Sequence, residues 1–171
     1  MSVLFSTFNF EVSILLGEGR DPLCEAAFSE CDGLEMSMDV VTIREGGNNQ
    51  GPIHLSGPVS YGTLALKRGM TTTADLWTWF ELVNTDGQRH RRASCEVTIL
   101  GSDRSGPLVT FALSGCLPVR IKAPALAGMD GLVAIEELDV AYETMVMKPG
   151  GAAGGGVGVG IGISAEVGFG A

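Results

Sequence analysis

The sequence predicts a mainly β chain, an antiparallel barrel or sandwich with one helix laid on its side. Three observations carry this. Apolar residues recur with period two in about eight short runs. The period changes to that of a helix only once, after Gly69. No strand–helix–strand alternation of the kind that builds a parallel sheet is present.

In chain order, Phe8, Phe10, Val12, Ile14 and Leu16 alternate with more polar neighbours and predict a strand. Breakers at 17–22 form a turn, and 24–30 is a second extended run that stops at Asp32-Gly33. Leu34, Met36, Met38 and Val40 then alternate with Glu35, Ser37 and Asp39. That pattern predicts a long half-buried strand with one wet face, ending at Gly46-Gly47. Residues 46–58 hold Gly46, Gly47, Gly51, Pro52, Gly57 and Pro58, so they cannot be strand interior throughout. A protruding hairpin or an extended loop is expected there, with 53–55 as a short extended piece. Residues 59–66 return as a strand.

Thr72 and Asp75 have capping-box spacing, and Asp75 places an acid in the first helical turn. Leu76, Trp79, Phe80 and Val83 follow i, i+3, i+4, i+7, an aromatic stripe that reads as core packing. Trp77 lies off that stripe, free for exposure or a contact. Residues 93–100 and 108–115 predict a hairpin around a turn at 101–106. A short strand over 117–122 follows, with Pro118 at an edge or bend. Val133 and Ile135 have one parity, Leu138, Val140 and Tyr142 the other. This predicts a β-bulge at Glu136-Glu137. The expected division is a β domain over 1–148 and a Gly-rich extension over 149–171. There, Val157, Val159, Ile161 and Ile163 alternate mostly with glycine. The extension reads either as a flexible tail or as a strand-like segment ordered by neighbouring subunits.

Composition narrows the function. With 45% apolar residues the chain can bury a core, and a formal charge of −9 argues against non-specific binding to nucleic acid or anionic membrane. Arg89, His90, Arg91 and Arg92 form a short basic cluster that reads as a solvated loop. Cys24, Cys31, Cys95 and Cys116 include no CxxC pair, and His54 and His90 lie far from them in sequence, so no metal site is expected. Nothing demands disulfides, and the start lacks the pattern of a signal peptide. Synthesis in a cytoplasm is the expectation. No run approaches the ~20 apolar residues of a membrane helix, so no stable membrane association is expected. No nucleophile, metalloprotease or phosphate-loop motif occurs, and Gly160-x-Gly162-x-x-Ala165 lacks the room a dinucleotide fold needs after it. No catalytic residue and no cofactor are therefore expected. Open sheet edges beside a projecting polar loop suit a self-assembling module. A soluble β-sandwich that binds a ligand is the alternative. A β-barrel hydrolase, whose carboxylates would come from distant strands, is a third reading.

Six motifs add a resemblance. They are Phe28-Ser29-Glu30-Cys31-Asp32-Gly33-Leu34, Arg44-Glu45-Gly46-Gly47-Asn48, Leu64-x-Leu66-Lys67-Arg68-Gly69, Leu76-Trp77-x-Trp79, Pro118-Val119-Arg120-Ile121 and Val133-Ala134-Ile135-Glu136-Glu137-Leu138. In that order, over about residues 8 to 146, the sequence resembles the tail tube proteins of T4-like contractile phages. Related proteins are the inner tube proteins of extracellular contractile injection systems and the Hcp tube of type VI secretion. Cys31-Asp32 departs from the commoner hydrophobic–small pair, and the usual members lack the Gly-rich tail. The resemblance implies an Hcp-like tail tube fold, a β-barrel or sandwich with one flanking helix. It also implies six-membered rings stacked into a hollow tube, which a contracting sheath drives through a target envelope.

The implied partners are further copies of the chain, a sheath protein, baseplate and tube-terminating proteins, and DNA or protein cargo in the lumen. The finished product is a virion tail or an injection particle. On this reading Glu45, Gly46, Gly47, Asn48, Asn49, Gln50 and His54 belong to a ring-to-ring loop. Asp75, Trp77, Glu81 and Asp86 form a sheath-facing helix surface, and Glu35, Ser37 and Asp39 line the lumen.

Overall fold

A computed structural model of the chain describes residues 9–17, 22–44, 46, 51–85, 92–101, 106–126 and 133–150. Ten strands and one helix lie among them. In chain order these are β1 (Phe10–Leu16), β2 (Pro22–Ala26), β3 (Glu30–Asp32), β4 (Met36–Ile43), β5 (Ile53–Tyr61) and β6 (Thr63–Gly69). Then come α1 (Asp75–Asn84), β7 (Ala93–Leu100), β8 (Pro107–Lys122), β9 (Ile135–Ala141) and β10 (Thr144–Pro149). The antiparallel, mainly β class with one helix is the class the period-two runs predict. The Gly-rich run 151–171 and most of the basic cluster lie outside the described residues; Arg92 pairs with Glu143 at 3.4 Å.

The body is one eight-stranded sheet, ordered β2-β1-β7-β8-β9-β6-β3, with β10 also paired to β8. Its centre is β8, a strand of 16 residues. The sequence reading splits this stretch into 108–115 and 117–122; it is one strand, whose buried parity changes midway from Val109 and Leu113 to Cys116 and Pro118. The cause is an extra residue. Across from it, Ala93 pairs with Cys116 but Cys95 with Leu113, and Gly115 takes φ 68°. A glycine in the left-handed region is what such a bulge requires. Beyond the bulge β8 leaves β7 and β10 and pairs with β9 instead. The sheet thereby folds over on itself and encloses a core. Val12 and Ile14 of β1, Cys95 and Val97 of β7, Leu64 and Leu66 of β6, and Leu138 and Val140 of β9 meet there. Leu76 and Trp79 of α1 close it.

Three local expectations need correction. The helix has no capping box: Ala74 is the cap residue and makes no side-chain cap bond. Asp75 accepts the Leu76 N–H at 3.0 Å and is otherwise engaged with Arg68. No bulge interrupts Glu136-Glu137, because β9 pairs with β6 in unbroken register from Gly69↔Ile135 to Thr63↔Ala141. Glu136 shares the inward parity of Leu138, Val140 and Tyr142, while Ile135 points out. The apparent slip arose from expecting apolar residues inside.

The third correction concerns residues 36–61. Of the two forms expected there the protruding hairpin is the one present, a separate two-stranded ribbon of β4 with β5; what differs is that β4 is exposed throughout rather than half-buried. β5 runs straight through Gly57-Pro58. Met38 pairs with Val59 and Val40 with Ser56, so Gly57 and Pro58 together oppose Asp39 as a bulge. A Cβ on Gly57 would come within 2.7 Å of the Asp39 carbonyl oxygen, so the bulge needs glycine there.

Candidate assembly interface

Two features stand out on this scaffold, a buried ion cluster and the ribbon. Arg68 follows Leu64 and Leu66 on the inward face of β6, and Glu136 precedes Leu138 on the inward face of β9. The two are directly paired residues. Arg68 Nε donates to Glu136 Oε1 at 2.6 Å, and its other nitrogens hold both oxygens of Asp75 at the start of α1. Trp77 Nε1 donates to Glu136 Oε2 at 3.0 Å. Arg68 Nη1 lies 3.1 Å from Cys24 Sγ, and the Phe28 ring sits 5.8 Å from its guanidinium carbon. Arg68 and Glu136 are 3% and 2% exposed, and Asp75 20%. Residues from four of the six quoted motifs thus meet at one point: Phe28, Arg68, Trp77 and Glu136.

The cluster ties α1 to the sheet. It takes Asp75 out of any acidic patch shared with Glu81, which stays exposed on the helix; Asp86 lies outside the described residues. Trp77 is half-buried through its bond to Glu136. The sequence reading places neither Arg68 nor Glu136 in the core. The signal was present, since two opposite charges fall on the apolar parity of two strands.

Burial raises the Asp75 carboxyl, but hydrogen bonds from Arg68 and Cys24, the Arg68 charge and the Leu76 N–H outweigh it and lower the pKa. Burial and the neighbouring Asp75 push the Cys24 thiol up to about 12, so it stays protonated. A carboxyl lowered by folding contributes stability above its unfolded pKa, about 3.9, and that contribution is lost as pH falls through the folded value. Urea midpoints measured between pH 7 and pH 2 should therefore fall more steeply for the natural chain than for Asp75→Asn below about pH 4. Parallel pH curves would remove Asp75 from the acid sensitivity. The comparison between variants is needed because Glu137, bonded to Lys122, is lowered too.

The ribbon is the opposite case, apolar and uncovered. Eight large residues, Met36, Met38, Val40, Val41, Ile43, Ile53, Leu55 and Val59, are 38–62% exposed on it. Isolated two-stranded ribbons are marginal in water, and an apolar patch of this kind marks an interaction site. The root is firmly held. The Tyr142 hydroxyl lies 3.0 Å from Gly33 O and accepts the Glu35 N–H at 3.0 Å, and the Gly62 N–H donates to Glu35 O at 2.9 Å. Tyr61 packs its ring 5.7 Å from that of Tyr142. By contrast, the outward face of β3, β6, β9 and the end of β8 is closed by ion pairs: Lys67 with Glu30, Lys122 with Glu137, and Arg120 with Asp139.

The expected site residues distribute along the ribbon. Glu35 lies at its root. Ser37 is bonded to Ser60 at 2.8 Å, and Asp39 sits at the bulge. His54 stands near the tip beside Thr42, 3.3 Å away, and Gly46 is exposed beyond it. Glu45 and residues 47–50 lie outside the described residues. Among the described residues no group of three His, Cys, Asp or Glu is placed to hold a metal, and no helix is long and apolar enough to cross a membrane.

Comparison with solved structures gives this fold repeatedly. A chain of the anti-feeding prophage baseplate, solved with six-fold symmetry, is 30% identical with a TM-score of 0.75, over 87% of this chain and 98% of that one. A chain of the sheath–tube complex of the extracellular contractile injection system PVC is 17% identical with a TM-score of 0.69, over 85% and 92%. A chain of the sheath/tube terminator of that system is also 17% identical at 0.69, over 86% and 98%. Comparison with curated protein sequences gives no match. The family model described as T4-like virus tail tube protein gp19 matches residues 6–146, which include every strand through β9, the ribbon and the buried cluster. The chain belongs to the T4-like tail tube protein family.

Proposed function

We propose that the chain is the inner tube subunit of a contractile injection machine, a phage tail or a phage tail-like particle. Six copies form a ring, rings stack into a hollow tube, and contraction of a surrounding sheath drives that tube through a target envelope. DNA or protein cargo passes along the lumen. The observation that carries this is the β4–β5 ribbon, apolar and uncovered on a chain of the tail tube family. An element of that kind is stable only when other copies cover it. The work is mechanical, with no catalytic residue and no cofactor. Among the described residues the carboxylates that converge are held by arginines, Asp75 and Glu136 by Arg68, and Glu137 and Asp139 by Arg120.

Residues 45–50, which join β4 to β5 in sequence, form the ring-to-ring contact together with His54 near the ribbon's tip. Glu35, Ser37 and Asp39 line the lumen near its root. Glu81, with Trp77 and Asp86, faces the sheath. The chain is made in a bacterial cytoplasm, and its partners are the sheath, baseplate and tube-terminating proteins. Six-fold symmetry of the related baseplate and the sheath and terminator complexes among the structural relatives support these assignments. Electron microscopy of the purified full chain should show rings or hollow filaments. A chain that stays monomeric at high concentration overturns the reading.

A further inference from the structure

The eight-stranded sheet ends in three strands, β2, β3 and β10, of five, three and six residues. β10 is the longest of them, and among the described residues it pairs with β8 alone. The register shows what its other edge presents. The Gly150 N–H donates to Leu108 O at 2.7 Å, continuing the pairing of Pro149 with Val109. Along an antiparallel strand, residues bonded to the partner alternate with residues whose backbone groups turn away from it. Lys148 and Val146 therefore face β8, while Met145, Met147 and Pro149 turn to the open side. Met145 and Met147 each offer an N–H and a carbonyl there. Pro149 offers only a carbonyl, and an open edge is where a strand tolerates proline. The side chains are uncovered as well. Val146 and Met147, on opposite faces, are 55% and 60% exposed.

The sequence that follows suits this edge. A Cβ on Gly150 would fall 1.8 Å from the Pro107 carbonyl oxygen, so the backbone leaves β10 pressed against the start of β8. Residues 151–156 are four glycines and two alanines, a composition that lets a chain reverse. Val157, Val159, Ile161 and Ile163 then alternate with Gly158, Gly160 and Gly162. That is period two over seven residues, enough to run the length of the six-residue β10. In either register the apolar side of such a strand meets an exposed apolar neighbour, Val146 on one face or Met147 on the other. The short link keeps the segment at a high effective concentration beside its own edge. Glycine at every second position weakens a strand, which leaves the pairing displaceable.

We propose that residues 157–163 add as a further antiparallel strand to the open edge of β10 in the same chain and guard it. An uncovered edge is a template for any strand it meets. The occupant is the chain's own segment for three reasons. It follows β10 through a link of seven residues, it alternates with the strand period, and no charge lies between 151 and 163. The guard keeps free chains from joining one another through β10. It gives a use to the Gly-rich extension, which lies outside the residues 6–146 that the family model matches. The inference goes beyond the tube reading and does not rest on it.

The test is hydrogen exchange resolved to single amides, on three proteins: the full chain, a chain ending at Gly150, and the full chain with Val159→Asp and Ile161→Asp. The Met145 and Met147 amides are expected to exchange about tenfold more slowly in the full chain than in either variant. The Val146 and Lys148 amides, which face β8, should exchange alike in all three. In sedimentation the chain ending at Gly150 should associate at lower concentration than the full chain. Equal exchange of Met145 and Met147 in all three proteins overturns the proposal. Loss of protection at Val146 and Lys148 as well overturns it, since the extension then holds β10 in place rather than covering its edge. Protection in the full chain that rises with protein concentration also overturns it, because a second copy then covers the edge. A shortened chain that associates no more readily overturns the guarding role. None of these readouts needs a tube to form, so this inference and the tube reading fail separately.

Discussion

Arg68→Ala is expected to destabilise the folded chain by about 3–5 kcal/mol, the range for removing one partner of a buried ion pair. The side chain is 3% exposed and serves two carboxylates at once. Without it Glu136, 2% exposed, keeps only the Trp77 N–H, and Asp75 keeps only the Leu76 N–H and the Cys24 thiol. Two carboxylates would face each other without a cation in a site shielded from water. Domains of this size hold about 5–15 kcal/mol in total, so the loss is a large share. Arg68→Lys should recover only part of it. One ammonium cannot reproduce the planar fork that reaches Glu136 through Nε and Asp75 through both terminal nitrogens. The triple variant Arg68→Met, Asp75→Asn, Glu136→Gln should recover most of it, because no charge is left stranded. Urea unfolding at pH 7, compared at constant slope, reads all three. A loss under about 1 kcal/mol for Arg68→Ala would mean that water enters the cluster and screens it.

The same cluster shows what period-two reading can and cannot see. β1, the β7–β8 hairpin and the core face of α1 were legible because their apolar residues keep a fixed period and do end up inside. Val12 and Ile14, Cys95 and Val97, and Leu76 and Trp79 are all buried. The reading failed where a charge goes inside. Taking Glu136 as outward forced a bulge that β9 does not have. It also failed where a glycine resets parity. Gly115 keeps β8 one strand although its buried positions change from odd to even. The shared fault is that parity reports which side a residue is on only if the register is unbroken and every inward group is apolar.

The ribbon was half legible for a different reason. The alternation over 34–40 is real, and it does sort Met36 and Met38 from Ser37 and Asp39. What covers the apolar side is not written in the strand itself. A half-buried strand and a strand waiting for a neighbouring copy have the same pattern. Only the pairing of β4 with β5 alone, away from the eight-stranded sheet, distinguishes them. The sequence reading also placed the ribbon's strand boundary too late, because Gly57-Pro58 looks like a breaker until Asp39 is set opposite it.

Excising the ribbon is the change with the largest expected effect on assembly. Met36 and Tyr61 are paired at its root, and the Gly62 N–H bonds Glu35 O, so the two ends lie side by side. Replacing residues 37–60 by Asn-Gly joins them through a two-residue hairpin turn. None of the fully buried core residues lies within 37–60, and the Tyr142 contacts at the root are kept. The shortened chain should therefore fold, with a stability change below about 1 kcal/mol, and sediment as a monomer with no rings or filaments. Removing only residues 46–58 is a worse probe. It takes Ile53 to Ser56 from opposite Val40 to Ile43 and leaves an apolar, unpaired edge, the kind of edge that aggregates. Precipitation of that variant would be mistaken for assembly. The clean excision keeps body and ribbon apart. If it still closes rings, the contacts that hold copies together lie on the body, and the exposed apolar ribbon has another use.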